Sequence, residues 1–155
     1  MSKAFTRESD EDGLAELPDR EVSPYQNLVT PEGLAAIDAE IDRQSRVKAA
    51  ALAADDKGAA ARAARELRYW TARRNTAQVA PPPEDDERVR FGSSVTIERD
   101  DGRKSTWRIV GEDEADPVRG TLSHASPLAR ALMGREVGEA VRAQATEAEI
   151  VEISA

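Results

Sequence analysis

The chain has 155 residues, enough for one ordinary domain or for two small ones joined by a hinge. Charged residues make up 34% of it, aromatic residues only 4%, and the formal net charge is −8, which argues against one large core and against independent binding to duplex DNA. The absence of cysteine excludes disulfides and thiolate metal sites.

The first segment, residues 1–29, is acidic and poor in side chains that pack. It carries 3 basic and 7 acidic residues, a net charge of −4, and predicts a flexible tail. Its first eight residues lack the apolar stretch of a secretion signal, and nowhere does the chain approach the roughly 20 apolar residues of a membrane span. We therefore expect a soluble cytoplasmic protein that does not interact with membranes.

Residues 30–79 carry two helical patterns joined by a turn. Thr30 and Pro31 predict a capped helix start, and the first helix should run to about residue 54. The segment Asp55-Asp56-Lys57-Gly58 predicts a tight turn in which the glycine takes a positive φ, and the second helix should end at about residue 77. Apolar spacings of three and four predict two buried faces that pack as an antiparallel coiled-coil hairpin. These faces contain Leu34, Ile37, Ile41, Gln44, Lys48 and Ala51 in the first helix, and Ala60, Ala63, Leu67, Trp70, Arg74 and Ala77 in the second.

The second helix carries arginines on the side predicted to face away from its buried face. Residues 30–79 have a net charge of +2, so this is the part of the chain best suited to approach RNA. Two interpretations stay open, a solvated coiled-coil surface and a surface that faces RNA or a protein partner. The arginines are Arg62, Arg65, Arg68 and Arg73.

The second half of the chain predicts a linker and an α+β domain. Residues 80–88 contain three consecutive prolines and then acidic residues, which predicts a short stiff linker. In residues 89–155 the apolar period becomes two, and strands are predicted on both sides of a short helix that starts after Ser126 and Pro127. The predicted fold class is α+β, with an N-terminal helical hairpin and a C-terminal antiparallel sheet covered by one short helix.

Three blocks in the second half resemble the C-terminal domain of the GreA/GreB transcript cleavage factors. They are residues 91–97, 108–116 and 126–138, in the order and spacing of that family. Residues 28–34 and 67–70 resemble the start and the return of the Gre hairpin, so the likeness covers roughly residues 28–153. The resemblance implies an FKBP-like C-terminal fold that docks on the rim of the secondary channel of RNA polymerase, while the hairpin enters the channel.

The resemblance also implies roles for individual residues. At the hairpin tip, Asp55 and Asp56 would help to hold a catalytic Mg²⁺ of the polymerase, since this hard cation takes oxygen ligands. The chain itself would have no cofactor and no enzymatic activity, and would act as a monomer on polymerase and on nascent RNA inside the complex. Polymerase docking in the C-terminal domain would fall to Glu112, Asp113, Glu114, Asp116, Ser126, Pro127 and Arg130.

The hairpin departs from the Gre pattern in two ways. The family's longer acidic tip motif is missing, and each arm looks about two turns shorter, which would withdraw the tip by about 11 Å. Three functions therefore stay open. They are stimulation of transcript cleavage, regulation by blocking the channel or in the manner of the short-hairpin Rnk proteins, and prolyl isomerisation suggested by the FKBP-like fold alone.

Overall fold

The computed structural model describes residues 17–155, except for the side chain of Thr146. The described residues form two units, one made of 17–24 with 35–76 and the other of 25–34 with 77–155. No helix in the described range is long and apolar enough to cross a bilayer. In chain order the elements are β1 (Leu28–Val29), α1 (Pro31–Ala53), α2 (Lys57–Thr76), β2 (Gln78–Val79), β3 (Ser94–Arg99), β4 (Lys104–Val110), a 3₁₀ turn (Pro117–Arg119), β5 (Thr121–Ser123), α3 (Pro127–Leu132), β6 (Ala140–Ala143) and β7 (Thr146–Ser154).

The first unit is the helical hairpin. Helices α1 and α2 have 23 and 20 residues, so they are about 35 and 30 Å long. They run antiparallel, because the Arg74 Nε near the end of α2 lies 2.8 Å from the Asp38 Oδ1 near the start of α1. The predicted buried face of α1 is confirmed, since Ile37, Gln44 and Ala51 are all buried.

The buried face of α2 differs from the prediction at its last turn. Arg73, predicted to be exposed, is 1% exposed, while Arg74, predicted to be buried, forms the exposed ion pair with Asp38. The next buried residue after Trp70 is therefore three positions later, at Arg73, whereas we predicted it four positions later, at Arg74. The hydrocarbon stem of an arginine can fill such a position, which its charge obscures in the sequence.

The predicted tail also differs from the structure over its later part. Residues 1–16 lie outside the described residues. Residues 17–24 contact α2, and residues 28–29 form strand β1. We predicted a flexible tail over this segment, whereas two of its charged side chains pair with charges on α2.

The second unit is built on a five-stranded sheet with the order β5-β4-β3-β7-β6. Most neighbours are antiparallel as predicted, but the edge strand β5 pairs with β4 in parallel. Helix α3 covers the sheet and buries Ala129 and Leu132 completely, which confirms the predicted α+β arrangement. The core consists of Val89, Val95, Ile97, Ile109, Ala129, Leu132, Val141, Ala148, Ile150 and Ile153.

A two-stranded parallel ladder holds both ends of the hairpin in the second unit. Strand β1 pairs with β2, placing Leu28 opposite Gln78 and Val29 opposite Val79. The boundary of the hairpin therefore differs from the predicted range of 30–79, because residues 25–34 and 77–79 group with the second unit. Each strand has only two residues, too few for an alternating pattern to be recognised in the sequence.

Candidate functional site

The hairpin tip is closed by backbone hydrogen bonds that fix Asp55. The Asp56 N–H donates to the Ala51 carbonyl at 2.8 Å, and the Asp55 N–H donates to the Leu52 carbonyl at 3.2 Å. This is the Schellman pattern, which needs a residue with positive φ just after the helix. Asp55 supplies it with φ of 54°, so the prediction that Gly58 takes this conformation was wrong. Aspartate tolerates positive φ better than most residues, and Gly58 instead lies in α2.

The second tip residue, Asp56, caps α2. Its Oδ1 accepts a hydrogen bond from the Ala59 N–H at 3.1 Å, and its carbonyl accepts from the Ala60 N–H at 3.0 Å. The exposed Asp55 carboxylate, by contrast, has no hydrogen-bond or ion-pair partner among residues 17–155. The tip thus presents two adjacent carboxylates, of which one is free and the other keeps one oxygen in a helix cap.

The four predicted arginines do not form one continuous basic face. Arg62 is exposed and Arg65 half-buried, and they share a shallow groove with Arg43 of α1. The Arg65 Nε is buried without a hydrogen-bond partner among the described residues. Arg68 is engaged by residues of the first segment, and Arg73 is buried. The structure therefore brings Arg62 and Arg65 together and adds Arg43. The sequence pattern of α2 alone could not predict this neighbour, because Arg43 belongs to α1.

Arg43 is paired along its own helix. Its Nε and Nη2 lie 3.1 and 2.5 Å from the Glu40 Oε2 and Oε1, and hydrogen bonding by Arg43 is the main reason that the pKa of Glu40 is lowered from its ordinary value of 4.5. Gln44 donates a third hydrogen bond to Glu40 at 3.1 Å, and the charge of Arg20 also lowers this pKa. Glu40 is therefore ionised at neutral pH and partly neutralises the groove.

Residues 17–24, which we call the N-terminal strap, lie against α2. The Arg20 Nη1 is 2.8 Å from the Glu66 Oε2, and its guanidinium carbon is 3.7 Å from the centroid of the Tyr69 ring. Such a stacked cation is attracted by the ring face. Arg20 therefore joins the strap to α2 by an ion pair and by a cation–π contact.

A second pair of contacts involves the preceding residue of each segment, Asp19 in the strap and Arg68 in α2. The Arg68 Nε lies 2.5 Å from the Asp19 Oδ1, and the Arg68 Nη2 donates to the Leu17 carbonyl at 2.9 Å. This arginine is thus already engaged by an anion that belongs to the chain itself.

In the second unit, Glu114 is turned inward. Its Oε2 accepts hydrogen bonds from the Thr30 N–H at 3.0 Å and the Gly111 N–H at 3.1 Å, and its Oε1 accepts from the Thr30 hydroxyl. The Thr30 Oγ1 in turn accepts from the Gly33 N–H at 3.0 Å, which confirms Thr30 as the N-cap of α1. The carboxylate of Glu114 is thus committed to hydrogen bonds within the chain.

Two glycines make room for this arrangement. A Cβ at Gly33 would lie 2.1 Å from the carboxyl carbon of Glu114, and a Cβ at Gly111 would lie 2.5 Å from the Leu28 carbonyl oxygen. Both distances are far below contact distance. Neither glycine has a positive φ, so close approach is what requires them.

The remaining predicted docking residues are spread over the loop after β4 and over α3. Glu112 and Asp113 are half-buried, and Asp116 caps the 3₁₀ turn by accepting from the Val118 N–H at 3.1 Å. Val118 is 95% exposed, and the sequence analysis did not single it out because an isolated valine has no distinguishing pattern.

Helix α3 starts as predicted. Ser126 is its N-cap, with the Oγ accepting from the Ala129 N–H at 3.3 Å, and the exposed Pro127 occupies the first position. Arg130 is exposed, with its guanidinium carbon 5.9 Å from the centroid of the Tyr25 ring. Capping therefore accounts for the presence of Ser126 and Pro127 at these positions, whereas Arg130 takes no part in the cap.

Comparison with known proteins identifies the family. The family model described as transcription elongation factor, GreA/GreB, C-terminal, matches residues 84–155. The chain is also 33% identical over 132 residues to transcription elongation factor GreA of Ruegeria pomeroyi, an alignment that covers 73% of this chain and 85% of that one. The chain belongs to the GreA/GreB family. Transcription elongation factor GreB of Pseudomonas aeruginosa agrees, with 37% identity over 129 residues, 71% of this chain and 77% of that one.

Other GreA proteins align over shorter stretches. The chain is 48% identical over 60 residues to GreA of a Bradyrhizobium species, and this alignment spans 38% of either chain. The family model itself covers the sheet and α3, while the longer GreA and GreB alignments exceed it in length. Both longer relatives are named transcription elongation factors.

Proposed function

We propose that this chain binds RNA polymerase as an elongation factor, its C-terminal domain docking at the rim of the secondary channel and its hairpin entering the channel. The observation that carries the proposal is the exposed Asp55–Asp56 tip on a two-helix hairpin of about 35 Å, in a chain of the GreA/GreB family. A rod of this length with charge at its end is suited to a narrow channel.

The tip can contribute oxygen ligands to a cation, but it cannot hold one alone. Among residues 17–155 no three potential metal-ligating side chains converge. A Mg²⁺ takes six oxygen ligands in a near-octahedral arrangement, so most of them would have to come from polymerase, substrate and water. In this scheme the free carboxylate of Asp55 is the main contribution of the chain, and the polymerase carries out the cleavage of backtracked RNA.

A second candidate function is occupation of the channel without cleavage, as a blocking or Rnk-like regulator. One observation favours it, the use of one Asp56 oxygen in a helix cap, and the expectation from the sequence that the arms are shorter than in the Gre pattern agrees with it. No observation on the described residues favours prolyl isomerisation, which rests on analogy of fold alone.

A cleavage assay on stalled elongation complexes separates the two candidates. Asp55→Asn with Asp56→Ser removes both carboxylates but keeps a residue that tolerates positive φ and a good N-cap. If the tip acts on the metal, the unmodified chain stimulates cleavage. The variant should still bind core polymerase, but its stimulated cleavage rate should be at least about tenfold lower, equivalent to about 1.4 kcal/mol.

The matched control is Asp100→Asn with Asp101→Ser, which makes the same change in the exposed turn between β3 and β4. This control should stimulate cleavage as the unmodified chain does. A chain that binds polymerase but never stimulates cleavage supports the blocking function, and a chain that does not bind core polymerase refutes the proposal.

A further inference from the structure

Two side chains of the N-terminal strap contact an arginine and an aromatic ring face of α2. The Asp19 carboxylate lies 2.5 Å from the Arg68 Nε, at the position that a phosphate oxygen would take. The Arg20 guanidinium carbon lies 3.7 Å from the centroid of the Tyr69 ring, on the face where a base would stack. Neighbouring residues of the strap thus fill an anion position and a stacking position on neighbouring residues of α2.

The contacts of the strap are individually weak. In the Arg68–Asp19 pair the side chains are 40% and 72% exposed, and in the Arg20–Glu66 pair they are 35% and 31% exposed. Ion pairs that stay this accessible to solvent contribute little to stability and are screened by salt. The strap can therefore detach while α2 keeps its own backbone hydrogen bonds.

We propose that the strap is an autoinhibitory segment, which covers Arg68 and Tyr69 and must detach before this face of α2 binds single-stranded RNA. The inference rests on the proposed function, which brings the hairpin beside a transcript. The net charge of −8 already disfavours contact of the free chain with nucleic acid, and the strap adds a local block on a positive helix. In a polymerase complex, RNA held close to α2 competes with the strap at high effective concentration.

The test measures binding of the full chain to a labelled oligouridine of about ten nucleotides by fluorescence anisotropy at low salt. Asp19→Ala with Arg20→Ala removes both contacts and leaves the net charge unchanged. We expect this variant to bind the RNA at least about fivefold more tightly than the unmodified chain. Arg68→Ala in the same background should abolish the gain.

A charge-neutral control comes from another exposed ion pair. Asp101→Ala with Arg103→Ala breaks a pair of 3.4 Å in the turn between β3 and β4, and it should leave RNA affinity unchanged. Equal affinity of the strap variant and the unmodified chain, or no binding by either, overturns the proposal. A lower melting temperature with unchanged RNA affinity also overturns it, because the strap would then be only a structural brace.

Binding of core polymerase by the same proteins is measured in parallel. The unmodified chain can bind polymerase even when the strap variant shows no gain for RNA, and in that case only the strap proposal fails. If the unmodified chain does not bind core polymerase, the proposed function is refuted.

Discussion

The carboxylate of Glu114 shows how a single residue can combine several structural tasks. It accepts hydrogen bonds from the backbone and the hydroxyl of Thr30 and from the backbone of Gly111, at a place where only glycine fits at position 33. Thr30 is in turn the N-cap of α1. One side chain therefore satisfies donors at the start of the hairpin and in the loop after β4.

We expect Glu114→Gln to destabilise the protein by about 1–3 kcal/mol, because an amide cannot accept all of these hydrogen bonds and one donor is left unsatisfied. Urea unfolding followed by circular dichroism measures the loss. The matched control is Glu84→Gln, on an exposed side chain, and it should change stability by less than about 0.5 kcal/mol. A loss no larger than that of the control would show that the Glu114 contacts contribute nothing.

The residue scale is also where the sequence is least predictive. The capping roles of Thr30 and Ser126 could be predicted, because each precedes a proline at the first position of a helix. The hydrogen bond of such a cap joins residues only three positions apart, so the local sequence is enough to predict it. The inward position of Glu114 could not, because its partner Thr30 lies 84 residues away. The contact of Arg20 with Tyr69 was missed for the same reason, since no local pattern predicts it.

The hairpin is the element whose form follows most directly from the sequence. Its helices end at residues 53 and 76, within one residue of the predicted ends. Long periodic segments carry many consistent signals, whereas β1, β2 and β5, with two or three residues each, carry almost none. The sequence also could not distinguish Asp55 from Gly58 as the turn residue, because both types accept positive φ.

A pair of substitutions tests the turn at the hairpin tip. Gly58 is the second residue of α2, so Gly58→Ala should raise stability by up to about 0.5 kcal/mol through better helix propensity, with the flexible end of Arg62 moving slightly to admit the Cβ. Asp55→Gly should leave stability unchanged or raise it, because Asp55 holds the position with φ of 54° that glycine prefers. Thermal unfolding measures both. If Gly58→Ala lowered stability and Asp55→Gly did not raise it, Gly58 would be the residue that closes the turn.

At the scale of the whole molecule, the chain combines a slender charged hairpin with a sheet domain, and each unit has its own stabilising interactions. The hairpin buries mainly small alanines and a few larger side chains, and the sheet domain buries a separate cluster of aliphatic residues. In the proposed function, the hairpin enters the polymerase while the sheet domain docks outside the channel. The proposed function therefore depends on where the tip arrives in a polymerase complex.

The absence of cysteine allows this position to be measured. Asp55→Cys creates a single thiol at the tip, to which an iron chelate that generates hydroxyl radicals is attached, and Arg103→Cys in the turn between β3 and β4 serves as the control. In complexes with core polymerase, the tip label is predicted to cut polymerase segments that line the secondary channel and the nearby transcript, whereas the control label cuts only the outer surface. A tip label that cuts only the outer surface of a stably bound complex would contradict the account.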